Sequence, residues 1–131
     1  MPLQFAVSAE IPATRQAIYN AWLNSDGHAA MTGADATAGN NIGDAFTAHD
    51  GYISGKNMEL VPFTKIVQTW RTTEFEEGEE DSILEVTLAD KDGNTMVTLN
   101  HCNLPPHGNQ YYQGWIDYYF EPMKEYFSAN R

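Results

Sequence analysis

The sequence predicts an α+β fold: a curved antiparallel sheet wrapped around a long C-terminal helix. Three observations carry that prediction. The stretch from Gln110 to Ser128 has helical periodicity and an unusually wide, ring-rich apolar face. Most of what precedes it reads as strand. The strands succeed one another through turn signals rather than crossover helices, so they pair antiparallel and leave one face to be covered.

The first strand is Leu3 to Glu10, where Leu3, Phe5, Val7 and Ala9 alternate with Gln4, Ala6, Ser8 and Glu10 up to Pro12. Thr14 can cap a helix running from Arg15 to about Leu23, with Ala17, Ile18, Ala21 and Trp22 on its buried side and Tyr19 at the margin. His28 to Met31 is a further short turn of helix, and Asp35 to Ala38 a short strand among turn residues. Asp44 to Asp50 and Ile53 to Val61 are the next strands. Gly55 is expected to form a bulge where the sheet bends. Lys65 to Thr73 returns with Ile66 and Trp70 on one face and Val67 and Thr69 on the other. Glu74 to Asp81, six carboxylates in eight residues, reads as a solvated turn rather than a calcium loop, because alternating oxygen ligands around a central glycine are missing. Ser82 to Ala89 and Thr95 to Cys102 form a hairpin through Asp90–Asn94, with Gly93 supplying a positive φ.

The last element is the helix. At about 100° per residue, Gln110, Gln113, Gly114, Asp117, Glu121, Lys124 and Glu125 share one arc, and the rings and aliphatic side chains take the rest. One neighbouring helix cannot close so wide a face; a curved sheet can. Pro122 has no N–H for the carbonyl of Tyr118 and should kink or interrupt the helix.

Length fits one domain spanning residues 1–131. No run is long and apolar enough to span a bilayer, and Met1 to Glu10 does not read as a signal peptide. Cys102 is the lone cysteine, so no internal disulfide can form, and a cytoplasmic setting is the expectation. The formal charge is −11, and the seven Lys and Arg are scattered. That pattern builds no phosphate-tracking patch, so neither nucleic acid nor an anionic membrane is an expected partner. The six close carboxylates oppose edge pairing between copies, which leaves a monomer or weak homodimer.

Chemical motifs are sparse. His28, His49, His101 and His107 show no metal-ligand spacing, no serine sits in a Gly-x-Ser-x-Gly setting, and no glycine-rich phosphate loop occurs. No catalytic residue, metal or cofactor is therefore assigned. Arg71 points away from Trp70 and is expected to pair a carboxylate such as Glu59 or to tie down a loop carbonyl. His101 is expected to be a hydrogen-bonded strand-end residue. The candidate ligand-binding residues are Tyr112, Trp115, Tyr119, Met123 and Tyr126 on the helix, facing Phe46, Met58, Leu60 and Trp70 on the sheet. Such a pocket would be apolar with a few phenolic donors, suited to an aromatic or fatty molecule. A filled core is the alternative.

Several of these segments together resemble a known family: Gly43-Asp-Ala-Phe46, Gly51-Tyr-Ile-Ser-Gly55 through Pro62, Lys65-Ile-Val-Gln-Thr-Trp70-Arg71, Ser82, Gly93-Asn-Thr95, His101, Pro105, and Gly114-Trp115 with Pro122 and Tyr126. The sequence resembles the domain of the activator-of-Hsp90-ATPase type, within the START-like, helix-grip (Bet v 1-like) superfamily. The resemblance implies a bent sheet gripping the C-terminal helix, with a cavity between them. It also implies two roles, since some relatives bind apolar molecules and the eukaryotic co-chaperone contacts a chaperone. That co-chaperone carries a separate N-terminal domain as well; the resemblance concerns the other domain. The leading expectation is a non-enzymatic domain binding a small apolar ligand. The alternatives are an Hsp90-type co-chaperone or stress-related interaction module, and a small hydrolase or cyclase using Glu59 or His101 as acid or base.

Overall fold

A computed structural model describes residues 3–129. In chain order the elements are β1 (Leu3–Ile11), α1 (Arg15–Trp22), α2 (Ser25–Thr32), β2 (Ala45–Ala48), β3 (Ile53–Val61), β4 (Lys65–Thr72), β5 (Ser82–Lys91) and β6 (Asn94–Leu104). A 3₁₀ turn (Pro106–Asn109) then leads into the C-terminal helix, made of α3 (Gln110–Trp115), a π-helical turn (Ile116–Phe120) and α4 (Glu121–Ala129). The six strands form one antiparallel sheet in the order β1-β6-β5-β4-β3-β2. The C-terminal helix lies against its concave face, so the helix-grip architecture expected from the sequence is present.

Local chemistry explains the elements. Thr14 caps α1 by accepting from the Ala17 amide at 3.1 Å, as its position predicted. Ile18, Tyr19 and Trp22 are the buried side of α1, whereas Ala17 faces solvent. The second helix is longer than its weak pattern suggested, because the Asn24 side chain caps Gly27 and Gly33 closes the other end. Asp35–Ala38 forms no strand; only a bridge between Thr37 and Thr47 marks it. In β4, Ile66, Gln68, Trp70 and Thr72 point inward. The β5–β6 hairpin turns through Asp92 and Gly93, both at positive φ.

Two expectations about backbone irregularities are corrected. The β3–β4 register shifts between Asn57 and Glu59, so the extra residue is Met58 and not Gly55. That bulge resets the alternation. Asn57 is buried and Leu60 half-buried on the inner face, while Met58 is 48% exposed. Gly55 has another role: a Cβ there would lie 1.8 Å from the Thr69 carbonyl oxygen and 2.6 Å from Cε1 of Phe46.

The helix is not simply kinked at Pro122. The π-helical turn just before it lets the Glu121 N–H reach the Ile116 carbonyl, an i→i+5 bond that moves the register where Pro122 withdraws a donor. The change also serves packing. Tyr111, Trp115, Tyr119, Met123 and Phe127 are all buried and recur every four residues. An ideal α-helix carries each such neighbour about 40° further round, which would fan the stripe across the helix. A wider turn in the middle draws it back toward one side. Tyr112 and Tyr118, placed on the apolar face by a regular wheel, are instead 43% and 64% exposed.

Candidate functional site

Between the C-terminal helix and the β2–β3 end of the sheet lies a cleft of about 440 Å³. The turn after β2 contributes His49, the approach to β3 contributes Tyr52 and Ile53, and β4 contributes Trp70. The helix supplies Gln110, Tyr111, Gly114, Trp115, Tyr118 and Tyr119. His49, Asp50 and Gly51 all have positive φ, and this tight turn sets His49 against Tyr119 and Tyr118 with ring centroids 5.3 and 6.0 Å apart.

The polar tips of the wall rings are largely tied into the protein. The Trp115 indole N–H donates to Nδ1 of His101 at 3.0 Å. That contact leaves the imidazole proton on Nε2, aimed at the Ser82 hydroxyl 2.8 Å away, and the Ser82 O–H donates to the Trp70 carbonyl at 2.6 Å. His28 takes the opposite tautomer: Nδ1–H donates to the Trp22 carbonyl at 2.9 Å and Nε2 accepts from the Tyr119 hydroxyl at 2.7 Å. The Tyr111 hydroxyl bonds Thr72 at 2.6 Å, and the Tyr52 O–H donates to the Glu74 carboxylate.

Burial sets the charge states. It pushes His101 down to about 3 and His28 to about 4, so both are neutral near pH 7. It raises the Tyr119 phenol, and for Tyr52 burial and then Glu74 act in the same direction. His49 is also lowered by burial, with the Asp50 carboxylate and the Tyr118 backbone opposing. Its Nε2 is buried and has no hydrogen-bond partner among the described residues.

Three of the nine residues nominated from sequence, Trp70, Trp115 and Tyr119, line this cleft. Phe46 and Met123 are packed in the core. Met58 is turned out by the bulge, and Leu60 only borders the core. Tyr112 lies outside the cleft, edge-on to Phe5 at 5.4 Å, because the real helix buries a narrower stripe than the wheel drew. Tyr126 is half-buried with its ring 5.0 Å from Phe127. Tyr111 was missed although the i, i+4 spacing to Trp115 could have found it. No pattern pointed to His49 or Tyr52.

The two residues weighed as acid or base stand apart from the cleft. Glu59 forms a surface ion pair with Lys65 at 2.8 Å. His101 lies behind Trp115 with both ring nitrogens engaged, and the Ser82 hydroxyl is committed to a carbonyl. Among the described residues no cluster of three or more His, Cys, Asp or Glu could hold a metal, and no helix is long and apolar enough to cross a membrane.

Arg71 does not reach Glu59. It ties down the acidic loop, donating to the Glu76 and Glu79 carbonyls at 3.1 and 3.2 Å and to the Asp81 carboxylate at 2.7 Å, with its guanidinium over the Phe75 ring. An Arg71→Met variant, which keeps the aliphatic stem, should lose about 2 kcal/mol of stability. Limited proteolysis should then cut within 74–81 faster than in the parent. Unchanged cleavage would refute this anchoring role.

Residues 12–128 match the family model described as "Activator of Hsp90 ATPase homolog 1-like protein". The chain belongs to this family. Over 99 residues it is 37% identical to the activator of 90 kDa heat shock protein ATPase homolog 1 of Homo sapiens; the match covers 75% of this chain and 29% of the human protein. Its fold matches a crystal structure of an HSP90 activator from Plasmodium falciparum, with a TM-score of 0.81 and 21% identity over 91% of each chain. It also matches Ara h 8.0201, with a TM-score of 0.74 and 16% identity over 98% of this chain and 99% of that one. Within this activator-like domain the motif residues have physical roles. Gly55 lets β3 approach β4, Trp70 and Trp115 form cleft wall, and Arg71 anchors the acidic loop. A Cβ at Gly114 would meet only Tyr118, at 3.9 Å, so this glycine keeps a wall segment thin.

Proposed function

We propose that the domain binds a small apolar or aromatic molecule in the cleft. The observation that carries this reading is the cleft itself: about 440 Å³, walled by Trp70, Trp115 and four tyrosines, in the size range of small-molecule sites. The neutral fluorophore N-phenyl-1-naphthylamine should bind saturably. Tyr118→Ala should weaken it about fivefold, since the loss of one ring contact is worth about 1 kcal/mol. Tyr112→Ala, outside the cleft, should leave the affinity unchanged. Absence of saturable binding, or equal loss in both variants, would defeat the proposal.

A second reading rests on family membership and on the names of the human and Plasmodium relatives: the domain docks on an Hsp90-type chaperone. The exposed carboxylates of Glu76, Glu77 and Glu80, on the loop anchored by Arg71, offer a preformed acidic surface to a basic partner. Calorimetry with such a chaperone at low salt should give a saturable heat, reduced by neutralising those three residues. No heat would remove this reading.

A further inference from the structure

The walls of the cleft constrain the charge of what enters it. Four of the wall rings have their polar tips bound internally: Tyr52 to Glu74, Tyr111 to Thr72, Trp115 to His101 and Tyr119 to His28. A sugar or an alcohol would therefore meet few free partners, and what the cleft mainly offers is ring surface. Rings carry negative charge on their faces.

The surrounding charges have the same sign. No Lys or Arg is among the wall residues. The Glu74 carboxylate is bonded to the Tyr52 hydroxyl, Asp50 adjoins His49, and Glu79 joins the rim through His107 and Gln110 at 2.9 and 3.3 Å. Arg71, on the strand beside Trp70, is committed to Glu76, Glu79 and Asp81. With a formal charge of −11 over the whole chain, an anion such as a fatty carboxylate is repelled.

We infer that the ligand is a small organic cation: an ammonium alkylated at nitrogen and carried on an apolar or aromatic body. Alkylation follows from the same walls. A primary ammonium must place three N–H donors; with four ring tips occupied, the unpartnered Nε2 of His49 can accept one of them at most. An alkylated nitrogen has fewer donors to strand and presents its charge through methyl or methylene groups to the rings of Trp70, Trp115 and Tyr118. This inference rests on the cleft being a small-molecule site, as proposed above, and adds the ligand's charge.

Three probes of similar size separate the two claims: phenyltrimethylammonium, its neutral carbon isostere tert-butylbenzene, and the anion benzenesulfonate. Each is titrated into the full chain at low salt and followed by tryptophan fluorescence and calorimetry. The cation should bind about tenfold more tightly than the isostere, and the sulfonate should not bind. Glu74→Gln keeps an acceptor for Tyr52 and removes the charge. It should weaken the cation several-fold while leaving the isostere unchanged. Tyr118→Ala should weaken the cation, and Tyr118→Phe should restore it. If the isostere binds as tightly as the cation, or Glu74→Gln affects both equally, the charge inference is overturned and the apolar site stands. If neither of these two probes nor the naphthylamine binds, both fall.

Discussion

Lowering the pH from about 7.5 to about 5 should cost the folded state about 4 kcal/mol, through His28 and His101. Both are at most 2% exposed and both are used as neutral rings. Their folded pKa values lie at about 4 and about 3, against 6.5 in the unfolded chain. Above the unfolded value neither state binds the proton, and stability does not change. Below it the unfolded chain takes up two protons that the folded one refuses, so stability falls as pH falls. Each group contributes about 1.4 kcal/mol per pH unit until its folded pKa is reached. His49, lowered by burial as well, acts in the same direction. Urea unfolding at several pH values measures the slope. His101→Gln retains an acceptor for Trp115 and a donor for Ser82 but cannot titrate; it should be less stable near neutrality and show about one proton less of pH dependence. A slope of zero across this range, or an unaltered slope in the variant, would contradict the assignment.

Gly55→Ala is expected to be the most damaging single-methyl change, costing about 3 kcal/mol or more. The added carbon would collide with the Thr69 carbonyl, a backbone atom of the adjacent strand, and with the Phe46 ring packed across the glycine. Relief requires β3 and β4 to separate where Lys56 N–H bonds the Thr69 hydroxyl at 2.9 Å, next to the Asn57–Gln68 hydrogen bond at 2.9 Å. Gln68 in turn accepts from the Trp22 indole, so the disturbance reaches α1. Gly78→Ala is the matched control: nothing lies within 4 Å of its added carbon, and its stability should change by less than about 0.5 kcal/mol. Equal urea midpoints for the two variants would remove the close-approach account of Gly55.

Much of the fold was legible because period and punctuation agree. Trp70 and Ile66 share a face in β4, Thr14 starts α1, and Asp92–Gly93 turns the β5–β6 hairpin, each for a reason confined to a few residues. The candidate site was less legible. Trp70, Trp115 and Tyr119 were found because they lie mid-stripe on their elements. Met58 and Leu60 were assigned to one face by strict alternation, and a one-residue bulge separated them. A regular wheel places Tyr112 and Tyr118 on the buried face, but the helix buries a narrower stripe: Tyr112 lies outside the cleft, and Tyr118 is a largely exposed part of its wall. His49 and Tyr52 reach the cleft through a left-handed turn that no periodicity records.

By itself the sequence determined most of the order of elements, the antiparallel sheet with its covering helix, the inward face of β4 and the acidic character of the chain. Those properties depend on local propensity and repeat, which each short window carries. Only the tertiary structure decided which rings line a cleft and which fill the core. It also decided which tautomer each buried histidine holds, and that Arg71 binds a loop instead of Glu59. These outcomes depend on where two distant segments meet, and small irregularities such as the bulge at Met58 and the π turn before Pro122 reset that meeting by a whole residue.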